Sequence, residues 1–284
     1  MTRRRFLAAG GCAVGGLALY SGEIARHRID VTHSDVSLTG LPRAFEGFRI
    51  AQISDIHMDE YTEPFFVRDV VQRVNRLKPD AVFLTGDYVT DGLAPTKFAI
   101  GAGWQCAGLL DGLECRQRYA VLGNHDLMVG PTEISQALSD HGITLLRNSH
   151  TAIERDGARF WLAGLDDPVQ GNPLPELTIP EAIRNQPREP VILMCHAPDY
   201  ADVLLQHPSG SSVALMLSGH THGGQVRLPL LGALDLPEMG HKYVEGWFRL
   251  GRMQLHVNRG IGTVGVPFRL NCPPEISVFT LRAA

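Results

Sequence analysis

Apolar residues recur along this chain in two periods, and the exchange of one period for the other marks out its elements. Residues 48–53, 81–85, 119–122, 191–195 and 213–217 are short, β-branched or otherwise apolar runs that read as buried strands. Between the first two, Val67, Val70, Val71, Val74 and Leu77 keep helical spacing and Lys78-Pro79 closes the turn, which gives a strand, helix, strand unit. Further helical stretches cover residues 98–113 and the segment after Pro131, the latter stopped at Gly142. Residues 29–38 alternate and read as an edge strand. Residues 150–154 and 159–164, separated by Arg155-Asp156-Gly157-Ala158, read as a hairpin. The proline-rich stretch 168–190 reads as loop with room for one helix, and residues 243–250, 253–258 and 276–281 read as strands, the first two joined at Gly251-Arg252. Such βαβ units followed by antiparallel hairpins predict an α/β fold: a four-layer αββα sandwich of two mixed β-sheets flanked by helices.

The first residues break this pattern. Thr2-Arg3-Arg4-Arg5-Phe6-Leu7 precedes a Gly/Ala-rich apolar stretch that ends near Tyr20, the order of a charged n-region and a weak h-region. It resembles a twin-arginine export signal, and residues 1–26 are expected to act either as that signal or as a membrane anchor. Both roles place the remainder, residues 27–284, outside the cytoplasm, in the periplasm or cell envelope. The apolar run alone, residues 6–20, is shorter than the ~20 residues of a comfortable span.

Composition narrows the classes further. With 284 residues, 44% of them hydrophobic, and no internal repeat, the body is expected to be one large domain. A net charge of -4, with no Lys/Arg run beyond the leader, argues against a nucleic-acid partner. Five cysteines in a chain of this size do not make a disulfide framework. Cys195 falls into the alternation of its strand and reads as structural.

The chemistry collects at strand ends. The five buried runs finish in Asp55-Ile56-His57, Gly86-Asp87, Gly123-Asn124-His125-Asp126, His196 and Gly219-His220-Thr221-His222. The carboxyl edge of an open α/β sheet is where strands deliver distant residues into one crevice, so the series describes a site for two metal ions. A carboxylate can bridge two cations and offset their charge, while imidazoles and an amide oxygen complete the ligand sets; this mixture suits Mn, Fe or Zn.

Taken in order, Asp-x-His, Gly-Asp, Gly-Asn-His-Asp, His and Gly-His-x-His resemble the calcineurin-like metallophosphoesterases. Asn258-Arg259-Gly260-Ile261-Gly262 and Pro273-Pro274-Glu275-Ile276 are similar to its bacterial exported or membrane-associated branch. The resemblance implies that Asp55, His57, Asp87 and His222 hold one divalent ion and Asp87, Asn124, His196 and His220 the other, with Asp87 bridging. It also implies hydrolysis of a phosphate ester by metal-activated water. His125 is then the expected general acid, oriented by Asp126 or Asp91. The chain departs from the protein-phosphatase branch at Thr90 and Asp91, where that branch has an acid and then a phosphate-gripping arginine, so Arg259 becomes the expected phosphate clamp. The expected substrates are phosphorylated small molecules or lipid-linked phosphates; a specific alternative is a pyrophosphatase acting on UDP-diacylglucosamine, a lipid A precursor. The apolar loop 228–239 would suit contact with a membrane or lipid. A non-catalytic metal-binding scaffold is the reading from another class, and the complete ligand set weighs against it.

Overall fold

The computed structural model describes residues 2–59, 61–92, 96–185 and 189–284; the first residue of the leader and residues 186–188 of the proline-rich stretch lie outside them. In chain order the strands are β1 (Asp30–Leu38), β2 (Arg49–Ile53), β3 (Ala81–Leu84), β4 (Arg118–Ala120), β5 (Thr144–Leu145), β6 (Ser149–Arg155), β7 (Ala158–Gly164), β8 (Val191–Met194), β9 (Val213–Ser218), β10 (Arg227–Leu228), β11 (Gly232–Ala233), β12 (Gly246–Leu250), β13 (Met253–Val257) and β14 (Glu275–Ala283). The helices are α1 (Arg3–Leu19), α2 (Pro64–Leu77), α3 (Thr96–Leu110), α4 (Asn124–Val129), α5 (Pro131–Asp140), α6 (Pro175–Thr178), α7 (Glu181–Arg184) and α8 (Tyr200–Gln206).

Two mixed sheets carry the body. The first runs β1-β14-β2-β3-β4-β5, with β2 to β5 parallel and β14 antiparallel to β2; the second runs β12-β13-β9-β8-β7-β6, with β13, β9, β8 and β7 parallel. The period-2 alternation decides which side chains meet. Ile50, Phe83, Ile192, Met194, Leu215 and Leu217 fill the space between the sheets. Their neighbours Ala51, Ile53, Val82 and Leu84 turn outward against the buried faces of α2, α3 and α5. Val191, Leu193 and Cys195 turn outward on the other side against Ile183, Tyr200 and Leu204. The order is helix, sheet, sheet, helix, the four-layer sandwich the pattern predicts.

Several boundaries differ from the sequence reading, each for a local reason. The hairpin strands run on to Arg155 and Ala158, because Asp156 and Gly157 both take positive φ (52° and 75°) and close the turn in two residues. Residues 168–190 hold two short helices, α6 and α7, each begun just after or at a proline. Tyr243 is buried in the outer core ahead of β12 and is not part of that strand. Cys106 and Cys115 are free thiols, as are the other three cysteines.

The leader is longer as a helix than its apolar run suggests. α1 continues through further helical turns at Tyr20–Ile24 and Ala25–His27, giving the one helix, among the described residues, long and apolar enough to cross a membrane. From Ser21 onward it packs on the body: Ser21 O accepts the Arg269 N–H at 3.1 Å, Arg26 pairs with Glu63 at 2.6 Å, and His27 meets the same carboxylate at 3.1 Å.

A buried polar bridge crosses between the sheets behind the ligand strands. Gln52 on β2 donates to Thr85 Oγ1 at 3.0 Å and to Ser218 O at 2.9 Å, while its Oε1 faces His256 Nδ1 on β13 at 3.1 Å. Burial pulls His256 down to about 4 against the pull of Glu275. Because this folded value lies below the ordinary ~6.5, its contribution to stability is fully present above pH ~6.5 and is lost as pH falls toward about 4. His256→Asn keeps a donor toward Gln52 and removes the titration. Between pH 7 and pH 5 the unfolding free energy of the parent protein should therefore fall by about 2 kcal/mol more than that of the variant. Parallel pH slopes would contradict this.

Candidate metal centre

Each candidate ligand stands two to four residues past the carboxyl end of a parallel strand: Asp55 and His57 after β2, Asp87 after β3, Asn124 after β4, His196 after β8, His220 and His222 after β9. Parallel neighbours end at the same edge, so the sheets bring both sets to one place. Asp55, His57 and His222 form one group, and Asp87, His196 and His220 another, with the candidate ligand atoms of each group within 4.8 Å of one another. A third grouping, His57, Asp87 and His125, links the two. The His57 Nε2 and His196 Nε2 atoms lie 3.5 and 3.0 Å from Asp87 Oδ2.

The backbone is strained to achieve this. Asp55, His57, Asp87, His220 and His222 all take positive φ, between 48° and 72°, a region that non-glycine residues seldom occupy. Cross-strand hydrogen bonds hold them there: Asp55 N to Gly86 O at 2.9 Å, His57 N to Asp87 O at 3.0 Å, and His220 N to the Asp55 carboxylate at 2.8 Å. Gly86 itself sits at φ 99°, and a Cβ there would stand 2.7 Å from both Gly123 N and the His196 ring. Only glycine fits.

Neighbouring groups fix the imidazole tautomers, although every one of these neighbours is remote in sequence. His196 Nδ1–H donates to Thr85 O at 2.7 Å, and His220 Nε2–H donates to Glu238 O at 2.7 Å. The Thr90 hydroxyl donates to Asp59 at 2.8 Å and so accepts from His57 Nδ1–H at 3.1 Å. Each ring is left with one lone pair turned into the cluster. Arg269 Nη2 approaches His222 Nδ1 at 3.2 Å, but its two hydrogens go to the carbonyls of Arg259 (2.9 Å) and Gly262 (2.6 Å), so that approach does not claim the ring nitrogen.

The donor set fits divalent cations. His57 Nε2, His196 Nε2, His222 Nε2 and Asn124 Oδ1 are buried and have no hydrogen-bond partner among the described residues. Unpaired buried polar atoms are costly, and four converging on two buried carboxylates are what cations would satisfy. Burial drives His220 down to about 4 and His222 well below the usual imidazole range, so both rings are neutral at pH 7, as ligation requires.

The three residues expected to act beyond the ligand sets fare differently. His125 stands half-buried at the start of α4, on the wall of the cavity that opens over Asp87, Asn124 and His220. Its Nδ1 contacts the Asp91 carboxylate. Asp126 does not touch it. Its carboxylate instead accepts from Asp87 N and Tyr88 N, both at 2.8 Å, Gly123 N at 2.9 Å and Val89 N at 3.3 Å. It thereby clasps the loops after β3 and β4, so that of the two candidates for orienting His125, Asp91 has the contact and Asp126 caps the backbone. Arg259 is also committed elsewhere: its guanidinium pairs with Glu275 at 3.0 Å and Asp30 at 3.4 Å. Two desolvated or partly desolvated carboxylates hold it away from the role of phosphate clamp.

Sequence reasoning missed Gln52, Asp59 and Arg269. Gln52 interrupts an otherwise apolar strand, which is a readable signal of an internal partner. Arg269 is wholly buried and joins the carbonyls of Arg259, Gly262 and Cys272 behind His222; nothing in its surroundings in the chain announces that.

The family model of the calcineurin-like phosphoesterases matches residues 48–224, which contain every candidate ligand. The chain belongs to the calcineurin-like phosphoesterases. It is 34% identical over 300 residues to the metallophosphoesterase YkuE of Bacillus subtilis, covering 100% of this chain and 98% of that one. It is 31% identical over 297 residues to the phosphodiesterase YaeI of Escherichia coli, covering 99% of each. Among solved structures, the NAD nucleotidase of Haemophilus influenzae superposes with a TM-score of 0.52 at 15% identity, over 75% of this chain and 45% of that one, a likeness of fold. As a member of this family the chain is a metal-dependent hydrolase of phosphate esters.

Proposed function

We propose that the protein is a dinuclear phosphodiesterase of the cell envelope. The observation that carries this reading is the pair of buried groups meeting at Asp87, each with a histidine nitrogen that has no hydrogen-bond partner among the described residues. Two divalent cations, held by Asp55, His57, Asp87 and His222 and by Asp87, Asn124, His196 and His220, would activate a water and offset the charge of the phosphate. His125 is the general acid: it is outside both ligand sets, it faces the cavity, and Asp91 holds its ring by the Nδ1 edge, leaving Nε2 to protonate the leaving oxygen. The full-length similarity to a phosphodiesterase favours diesters over monoesters.

The test is direct. Protein reloaded with Mn²⁺ to two equivalents should hydrolyse bis(4-nitrophenyl) phosphate faster than 4-nitrophenyl phosphate. Absence of turnover on diester, monoester and pyrophosphate alike would overturn the assignment and favour a metal-binding scaffold. A pyrophosphatase acting on UDP-diacylglucosamine is kept as a second reading, because the cavity over the cluster is lined largely by apolar side chains.

The leader is assigned as a twin-arginine-type export signal retained as an anchor. Residues 21–27 support retention, since Ser21, Arg26 and His27 are bonded into the body and cleavage beyond them would remove those contacts. Changing Arg3, Arg4 and Arg5 to Lys preserves charge and removes the guanidinium pair, so the variant should accumulate in the cytoplasm as folded protein. Unaltered localisation in cell fractions would indicate a general signal anchor.

A further inference from the structure

The cavity over the candidate metal centre does not end there. It has a volume of about 690 Å³, within the range of ligand sites, and runs from Asp87 and His220 past Leu234, Leu236, Val264 and Phe268 to Leu17 of α1. Its wall is pre-formed: the Gln225 side chain donates to Val264 O and Val266 O, both at 3.0 Å, and accepts from Val264 N at 2.9 Å. The base of α1 is fixed against it as well, because Gly22 packs so closely on the Phe268 ring that a Cβ would lie 3.0 Å from it. One end of the groove is polar and suited to a phosphate. The other end is hydrocarbon, bounded by the helix long and apolar enough to cross a membrane and by a loop whose Leu230, Leu231 and Leu234 are exposed.

We propose that this groove seats a hydrocarbon chain carried by the substrate itself, so that the site takes amphiphilic phosphate esters presented by a lipid bilayer. The proposal rests on the phosphoesterase reading and adds the substrate class to it. Continuity decides the occupant. A groove joined to a phosphate site at one end and to a membrane-crossing helix at the other matches a molecule with a phosphate at one end and an alkyl chain at the other. A chain entering along α1 would leave the bilayer without crossing water, while a free apolar peptide would have no use for the ligand cluster.

The chain length of the ester is the variable to test. Full-length protein in phosphatidylcholine nanodiscs, loaded with Mn²⁺, would be assayed on methyl, butyl and octyl 4-nitrophenyl phosphates. Burial of one methylene is worth up to about fourfold in binding, from ~0.8 kcal/mol each. Even at about twofold per methylene, half of that free energy, the seven added methylenes should raise kcat/KM about a hundredfold from methyl to octyl. Leu234→Asp places a charge in the groove at a position 59% exposed, where it is compatible with folding, and should reduce the octyl-to-methyl ratio toward one. A second variant, Val266→Asp, at 46% exposed, should do the same. A flat series in the parent protein would overturn the groove assignment and leave the phosphodiesterase reading intact. So would a steep series unchanged in both variants, since it would reflect partitioning of the ester into the bilayer alone. No turnover of any ester, methyl included, would remove the phosphoesterase reading and this inference with it.

Discussion

Replacing Asp87 with alanine is expected to empty both cation sites. The Asp87 carboxylate is the only one of the two buried candidate carboxylates that faces histidines of both groups, with His57 Nε2 at 3.5 Å and His196 Nε2 at 3.0 Å from its Oδ2. Its Oδ1 also accepts the His125 N–H at 3.0 Å, so the same side chain sets the start of α4 and with it Asn124 and His125. Without that charge, two cations would face one another across a gap lined by neutral rings, and neither site would retain its ion. Metal analysis should fall from two equivalents to near none, and phosphodiester hydrolysis by at least about 10³-fold, the scale expected when metal-ion activation is lost. The body should stay folded, since the two sheets pack through Ile50, Phe83, Ile192, Met194, Leu215 and Leu217 and not through Asp87, while the His125 N–H loses its acceptor. A thermal signature separates this from general damage. Chelation of the parent protein should lower its melting temperature through linkage, because it removes about 2.7 kcal/mol of stabilisation for each ion present at a hundredfold over its dissociation constant. Chelator should leave the melting temperature of the Asp87 variant unchanged. Two equivalents of metal bound to the variant would refute the bridging assignment.

His125→Ala should act on the chemistry and spare the metals. The ring is placed by α4 and by Asp91 and packs edge-on against His57, while it lies outside both proposed ligand sets. For an ester with a poor, alkoxide-like leaving group the expected loss is on the order of 10² to 10⁴ in rate, because the departing oxygen must be protonated as the bond breaks. A 4-nitrophenolate leaves without that help, so an activated aryl ester should lose far less. Asp91→Asn keeps a contact with the ring and removes the charge that stabilises its protonated form; it should show a smaller loss in the same pattern. Equal losses on both leaving groups in the His125 variant, with two metal equivalents retained, would assign His125 to binding of the phosphate and end its role as general acid.

Much of the site was legible because each part of it is a local pattern. An apolar run followed within a few residues by Asp-x-His, Gly-Asp, Gly-Asn-His or Gly-His-x-His states both a buried strand and what lies at its end. Parallel strands then must present those ends together, so that the chain order of five short motifs already contained the seven candidate ligands and the layered architecture. The hydrophobic period likewise gave α2 and the hairpin at Asp156-Gly157. Gly86, directly before Asp87, takes φ 99° at that strand end.

What sequence could not supply is the partner of a polar side chain when that partner is far along the chain. Asp126 and Asp91 were both candidates for orienting His125; the fold brings Asp91 to the ring across 34 residues and turns Asp126 to the backbone of Asp87 and Tyr88. Arg259 looked available for phosphate until strand β14 and strand β1, paired side by side, brought Glu275 and Asp30 to it. The leader reads as a separate segment, yet its last turns bond to Glu63 and Arg269, and α1 lines the same groove as the candidate ligands. Patterning is a property of neighbours and fixes which elements form and which face is buried. Charge pairing, tautomer choice and the lining of a cavity depend on distances between elements, which exist only once the sheets have packed.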